Sequence, residues 1–249
     1  MHLDVIDLRD FYSSLLGRIV TRHVGEGLAA VMPEGPCGRV VGIGFATPYL
    51  DVYDERAERL AAFMPAPQGV IDWPSDVPSK TALVEEARLP LSNASVDLVI
   101  LMHALEMSSR PGDLMDEVRR ILSPRGRLVA VVPNRQGPWA RSDISPFGFG
   151  RPYSRGQLRA VFADAAFETE AWATALHMPP IARRPVLRLA GTMEKIGRVC
   201  WPAFSGVTCV RASKSTVQGA KVRARSALAP ALRPALQPNT GRIRSRPVV

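Results

Sequence analysis

The sequence predicts an α/β fold built on a mostly parallel sheet, and three observations carry that reading. Val96–Met102 reads VDLVILM, a continuous and partly β-branched apolar run of the kind buried on both faces of a parallel sheet. Residues 39–43 form a second apolar run that enters a glycine turn at Gly42 and Gly44. Strand-like runs then alternate with helical stretches of ten or more residues, the pattern of βαβ units.

Taken in order, residues 7–32 read as one amphipathic helix, with Leu8, Phe11, Tyr12, Leu15, Leu16, Ile19 and Val20 at helical spacing. Gly35, Pro36 and Gly38 end it. After the first strand and its glycine turn, a helix is expected over residues 48–58. Residues 59–64 and 82–84 follow as strands, then the strong strand Val96–Met102. Residues 112–122 form a helix with Leu114, Met115, Val118 and Ile121 on one face, and residues 127–132 the next strand. Ser154 is placed to cap a helix over 154–165, whose apolar face is Leu158, Val161 and Phe162. Residues 167–176 read as a strand, 184–199 as helical and 206–211 as the last strand.

The chain has 249 residues, enough for one large α/β domain with a proper core. Its apolar runs are too short to span a bilayer, and its first residues form no signal-peptide pattern. Cys37, Cys200 and Cys209 are odd in number and lack metal-ligand spacing, so the expected setting is a reducing cytoplasm with no bound metal. The net charge is +9, yet eight basic residues and no acidic ones fall in 212–249, which leaves +1 for residues 1–211. The expected organisation is therefore an N-terminal helix over 1–37, a globular domain over 38–211 and a basic, disordered tail over 212–249. Nucleic acid is a candidate partner only through that tail.

The sharpest local signal is Val40-Val41-Gly42-Ile43-Gly44-Phe45-Ala46, a strand running into a glycine turn. Alone it is weak, because many βα turns carry such glycines only for packing. Its companions sharpen it. In sequence come Leu89-Pro90-Leu91, Ser95-Val96-Asp97-Leu98-Val99-Ile100, His103-Ala104-Leu105-Glu106 and Ser123-Pro124-Arg125-Gly126-Arg127-Leu128. Over residues 38–135 this succession resembles the type 11 methyltransferase domain family of class I S-adenosylmethionine-dependent methyltransferases.

The resemblance implies a three-layer Rossmann-like methyltransferase fold, with a mostly parallel seven-stranded sheet and a final antiparallel strand. It implies S-adenosyl-L-methionine as cofactor, with Gly42, Gly44 and Ala46 forming the turn at its methionine portion. It places Glu85 or Glu86 near the adenine edge, and His103 in the cleft at the carboxyl end of its strand. His103 and Tyr153 become the candidate acid–base residues. Asp97, at the opposite end of the strand, reads as structural. The loop leaving the fifth strand supplies a candidate substrate lid. There Trp139, Phe147, Phe149 and Tyr153 are read as enclosing an apolar or aromatic acceptor. Asn134, Arg135, Arg141 and Arg151 are read as holding an anionic group.

Three positions depart from the family pattern. Val40 stands where an acid usually precedes the first glycine, Ala46 replaces the third glycine, and the second strand ends Met64-Pro65 with no carboxylate for the ribose hydroxyls. The leading expectation is a methyltransferase acting on a small molecule. The departures motivate an alternative: a non-catalytic module that keeps the fold and serves as a binding or regulatory protein. A nicotinamide dinucleotide fingerprint is disfavoured, since it needs an acid about 20 residues past the turn and residues 59–71 hold none.

Overall fold

The computed structural model describes residues 3–215 except 34, 36, 76 and 77. Seven strands form one sheet in the order β3-β2-β1-β4-β5-β7-β6. They are β1 (Cys37–Gly44), β2 (Ala57–Pro65), β3 (Thr81–Val84), β4 (Val96–Met102), β5 (Leu122–Pro133), β6 (Phe167–Ala175) and β7 (Val207–Lys214). The first five are parallel, and β7 runs antiparallel to both β5 and β6. This is the expected Rossmann-like sheet with its antiparallel strand.

Alternation along the central strands divides the core in two. Leu98, Ile100 and Met102 of β4 and Val129 and Val131 of β5 face one side. There they meet α1 (Val5–Ser13) and α2 (Leu15–Ala29) through Leu8, Tyr12, Leu16, Val20, Val24 and Leu28, along with Leu187 of α5 (Arg184–Arg188) and Ala190 of α6 (Ala190–Cys200). Val99, Leu101, Leu128, Ala130 and Val132 face the other side, against α3 (Pro111–Ile121) and α4 (Arg155–Asp164). Burial on both faces explains why β4 and β5 read as unbroken apolar runs. Ser154 caps α4 as expected, in a full capping box with Gln157.

Three expectations are corrected. The first helix is two, because Ser14 adopts an extended conformation and its side chain accepts the Gly17 amide, starting α2 afresh. No α-helix follows the glycine turn. Residues 47–49 and 51–53 form two short 3₁₀ turns, which bury Tyr49, Leu50 and Tyr53 against the sheet before β2 begins at Ala57. Finally, β7 continues through Lys214, three residues into the stretch expected as tail. Residues 216–249 lie outside the described residues. No helix among the described residues is long and apolar enough to cross a membrane.

Candidate functional site

In a parallel sheet the ligand-binding rim lies beyond the carboxyl ends of the strands, here the ends of β1, β2 and β4. Gly44 closes β1 with φ of +84°, and the Phe45 amide donates to the Met102 carbonyl at 2.9 Å. A Cβ on Gly44 would sit 2.1 Å from that same carbonyl. A Cβ on Gly42 would sit 2.7 Å from the Ala46 Cβ and 2.8 Å from a Leu50 methyl. Both glycines are thus demanded by the chain's own packing. Ala46 is fully buried beneath the first 3₁₀ turn.

The space above the turn is filled from the N-terminal segment. The Tyr12 ring stacks on Phe45, with centroids 5.4 Å apart and planes at 20°. Its hydroxyl lies 2.8 Å from His103 Nε2. His103 has no exposed surface and stands in the left-handed region at φ +50°, an unusual conformation for a residue with a side chain. Its Nδ1 lies 3.2 Å from Glu106 Oε1, and the Phe147 ring packs against it at 4.9 Å. Gln68, in the loop after β2, donates its side-chain amide to the His103 carbonyl and its backbone carbonyl accepts from Val5 of α1. The result is a buried Tyr12–His103–Glu106 chain beneath α1. Burial, together with Tyr49 and the Glu106 carboxylate, raises the Tyr12 phenol well above its ordinary pKa and keeps it neutral.

What remains open beside His103 is a cavity of about 30 Å³, bordered by Pro65, Gln68, Glu86 and Met107. That holds about one water molecule, whereas cofactor sites run to roughly 300–1,000 Å³. Outside Tyr12 and Phe45 lies an open depression of about 390 Å³ edged by Arg9, Thr47, Asp51 and Trp73. β2 ends in Pro65, and the nearby acids are otherwise engaged: Asp51 accepts from Trp73 Nε1 at 3.0 Å and Asp54 pairs with Lys80. In this conformation Tyr12 and His103 occupy the space directly over the glycine turn and β2 ends without a carboxylate, so the room at this rim is the open depression beside Phe45, Thr47 and Asp51.

The remaining candidates separate. Glu86 borders the small cavity and accepts from the Ser108 hydroxyl at 2.8 Å, while Glu85 is exposed in a tight turn with Arg88. Trp139 and Phe147, expected to touch substrate, are instead core. Trp139 is fully buried and donates Nε1 to the Met178 carbonyl at 2.7 Å, and the two rings meet edge-on. Large aromatic surfaces close the loop down onto the sheet. Asn134 is saturated, its amide donating to Ala203 and Ser205 and its oxygen accepting from the Gln136 amide. Arg135, Arg141 and Arg151 are exposed, Phe149 is half-buried, and Tyr153 is half-buried with its hydroxyl 3.5 Å from the Leu105 carbonyl. Burial raises the Tyr153 phenol. Tyr12, Gln68 and Glu106 were missed. The only sequence signal was Glu106 three residues after His103, because the other two partners come from distant segments.

Residues 24–130 match the family model described as a methyltransferase domain. A malonyl-[acyl-carrier protein] O-methyltransferase from Hahella chejuensis is 30% identical over 125 residues, covering 47% of this chain. The aligned region spans 44% of that relative, less than half its length. Among solved structures, a possible histamine N-methyltransferase from Thermotoga maritima superposes with a TM-score of 0.58 at 16% identity, covering 85% of this chain and 96% of that one. The putative methyltransferase in a complex with the Haloferax volcanii Trm112 activator gives 0.55 at 19% identity, covering 83% and 97%. The [4+2]-cyclase SpnF gives 0.51 at 16% identity, covering 86% and 97%. Sheet order, matched segment and structural likeness agree: residues 24–130 match the methyltransferase domain family, and the chain has the Rossmann-like fold seen in solved S-adenosylmethionine-dependent methyltransferases.

Proposed function

We propose that this chain is a methyltransferase-fold protein acting as a binding or regulatory module, with the rim that would take the cofactor built as core. The observation that carries this reading is the packing of Phe45, Tyr12 and His103 directly over the glycine turn, with about 30 Å³ left beside His103. The short 3₁₀ turns support it further, since they supply no helix N-terminus to donate amides to a ligand. Structural likeness to SpnF, described as a [4+2]-cyclase, is a reminder that this fold is not tied to one activity. Calorimetric titration of the full chain with S-adenosylhomocysteine is expected to give no heat and no rise in unfolding temperature. Saturable binding at micromolar ligand would overturn the reading.

A second reading is a methyltransferase for a small-molecule acceptor whose α1 withdraws to admit the cofactor. It is favoured by the Tyr12–His103–Glu106 chain, because a polar chain is a costly way to fill a core. A strained His103 at a ligand rim points the same way. The partial relative's name, an O-methyltransferase of a malonyl thioester, suggests a carboxylate acceptor under this reading. Here His103, with Glu106 on its Nδ1, is the acid–base residue. Tyr12→Ala separates the readings: gain of S-adenosylhomocysteine binding in that variant favours the second, and continued absence favours the first.

A further inference from the structure

Beyond β5 the same rim holds a cavity that shares no residue with the closed glycine turn. It lies between the end of β5, the start of α4 and the β6–β7 pair, and measures about 470 Å³. That is the size of a small-molecule site rather than of a packing defect. Its base is rigid, because Asn134 ties the end of β5 to Ala203 and Ser205 through its amide. One wall is Trp172, continued by Pro202 and Ala203. The Arg155 guanidinium lies 4.7 Å from the Trp172 ring centre and Arg159 follows at 5.5 Å, so two cations converge on one aromatic side chain. No lining residue is a carboxylate. A positive, partly aromatic cavity bordered by the Thr208 side chain favours an anion with an apolar body.

We propose that this cavity is a binding site for a small aromatic carboxylate or sulfonate. Arg155 and Gln136 take the anionic group, Trp172, Pro202 and Ala203 hold the ring, and Thr208 meets its far end. The site deepens the binding-module reading by naming a ligand class. It would equally stand if the rim did admit S-adenosylhomocysteine, so the two titrations fail independently.

The test is fluorescence titration of the full chain with 8-anilinonaphthalene-1-sulfonate, an aromatic anion, followed by displacement with benzoate or benzamide. Saturable binding at one site is expected, displaced by benzoate and not by neutral benzamide. Arg155→Gln and Trp172→Ala should each weaken it at least tenfold. Arg155 is exposed at a helix start, so its variant keeps the fold. Val52→Asp places a charge in the separate exposed groove along α2 and should change nothing. The proposal is overturned by no binding, by equal displacement with benzamide, by binding indifferent to Arg155→Gln, or by loss of the signal in Val52→Asp.

Discussion

A single carboxylate shows how position along a strand decides a residue's role. Asp97 opens β4, at the end of the sheet away from the rim. It accepts the Arg39 amide at 3.0 Å and two guanidinium hydrogen bonds at 3.0 and 3.1 Å. Gly38 makes room for it, since a Cβ there would lie 2.5 Å from Asp97 Oδ2. The Arg39 hydrogen bonds outweigh partial burial and hold the Asp97 pKa down to about 2. An unfolded aspartate titrates near 3.9, so the folded form binds its proton less readily. The stabilisation is complete above the unfolded value and is lost as the pH falls toward 2. Urea unfolding of Asp97→Asn should show a shallower loss of stability between pH 5 and pH 2 than the parent. An identical acid limb would mean the pair is screened by water. The same reasoning from position explains why His103, at the opposite end of β4, was legible as a rim residue, whereas its burial was not.

At the scale of elements, α1 is held by a short list of contacts. Val5, Leu8 and Tyr12 are its buried residues, and the Val5 amide donates to the Gln68 carbonyl at 2.7 Å. The break at Ser14 lets α1 leave the axis of α2 and lie across the rim. Tyr12→Phe keeps the ring stacked on Phe45 but leaves His103 Nε2 buried without a partner. The expected cost is about 1–3 kcal/mol, read as a lower urea midpoint at unchanged slope. No loss would mean that His103 finds another partner when the hydroxyl is gone. The helical periodicity of residues 7–32 was correct in kind and face, but period alone does not reveal a cap in mid-run. Ser13-Ser14 was the local sign of it. The expected helix over 48–58 failed for a different reason. Tyr49, Leu50 and Tyr53 all turn inward within twelve residues between two adjacent parallel strands, and tight turns bury them where a long helix would carry some away.

At the scale of the whole molecule, charge and fold are divided along the chain. Seven of the basic residues lie beyond Ser215, so a chain ending there carries +2 instead of +9. Retention of the full chain on heparin should fall steeply with salt and be largely lost after that truncation. Retention by the shortened chain would place the anion-binding surface on the globular unit, where Arg155 and Arg159 converge on Trp172.

The sequence by itself determined the sheet: which runs are strands, that helices join β4 to β5 and β5 to β6, and where the chain bends at Gly42 and Gly44. Those features depend on local period, β-branched runs and backbone freedom, all written within a few residues. Only the tertiary structure decided what occupies the bend. The atoms filling it come from Tyr12, Leu50 and the Met102 carbonyl, which lie far apart in the chain or on a neighbouring strand. A glycine that admits a ligand and one that admits a neighbour's backbone look alike in sequence, because each lacks only a Cβ.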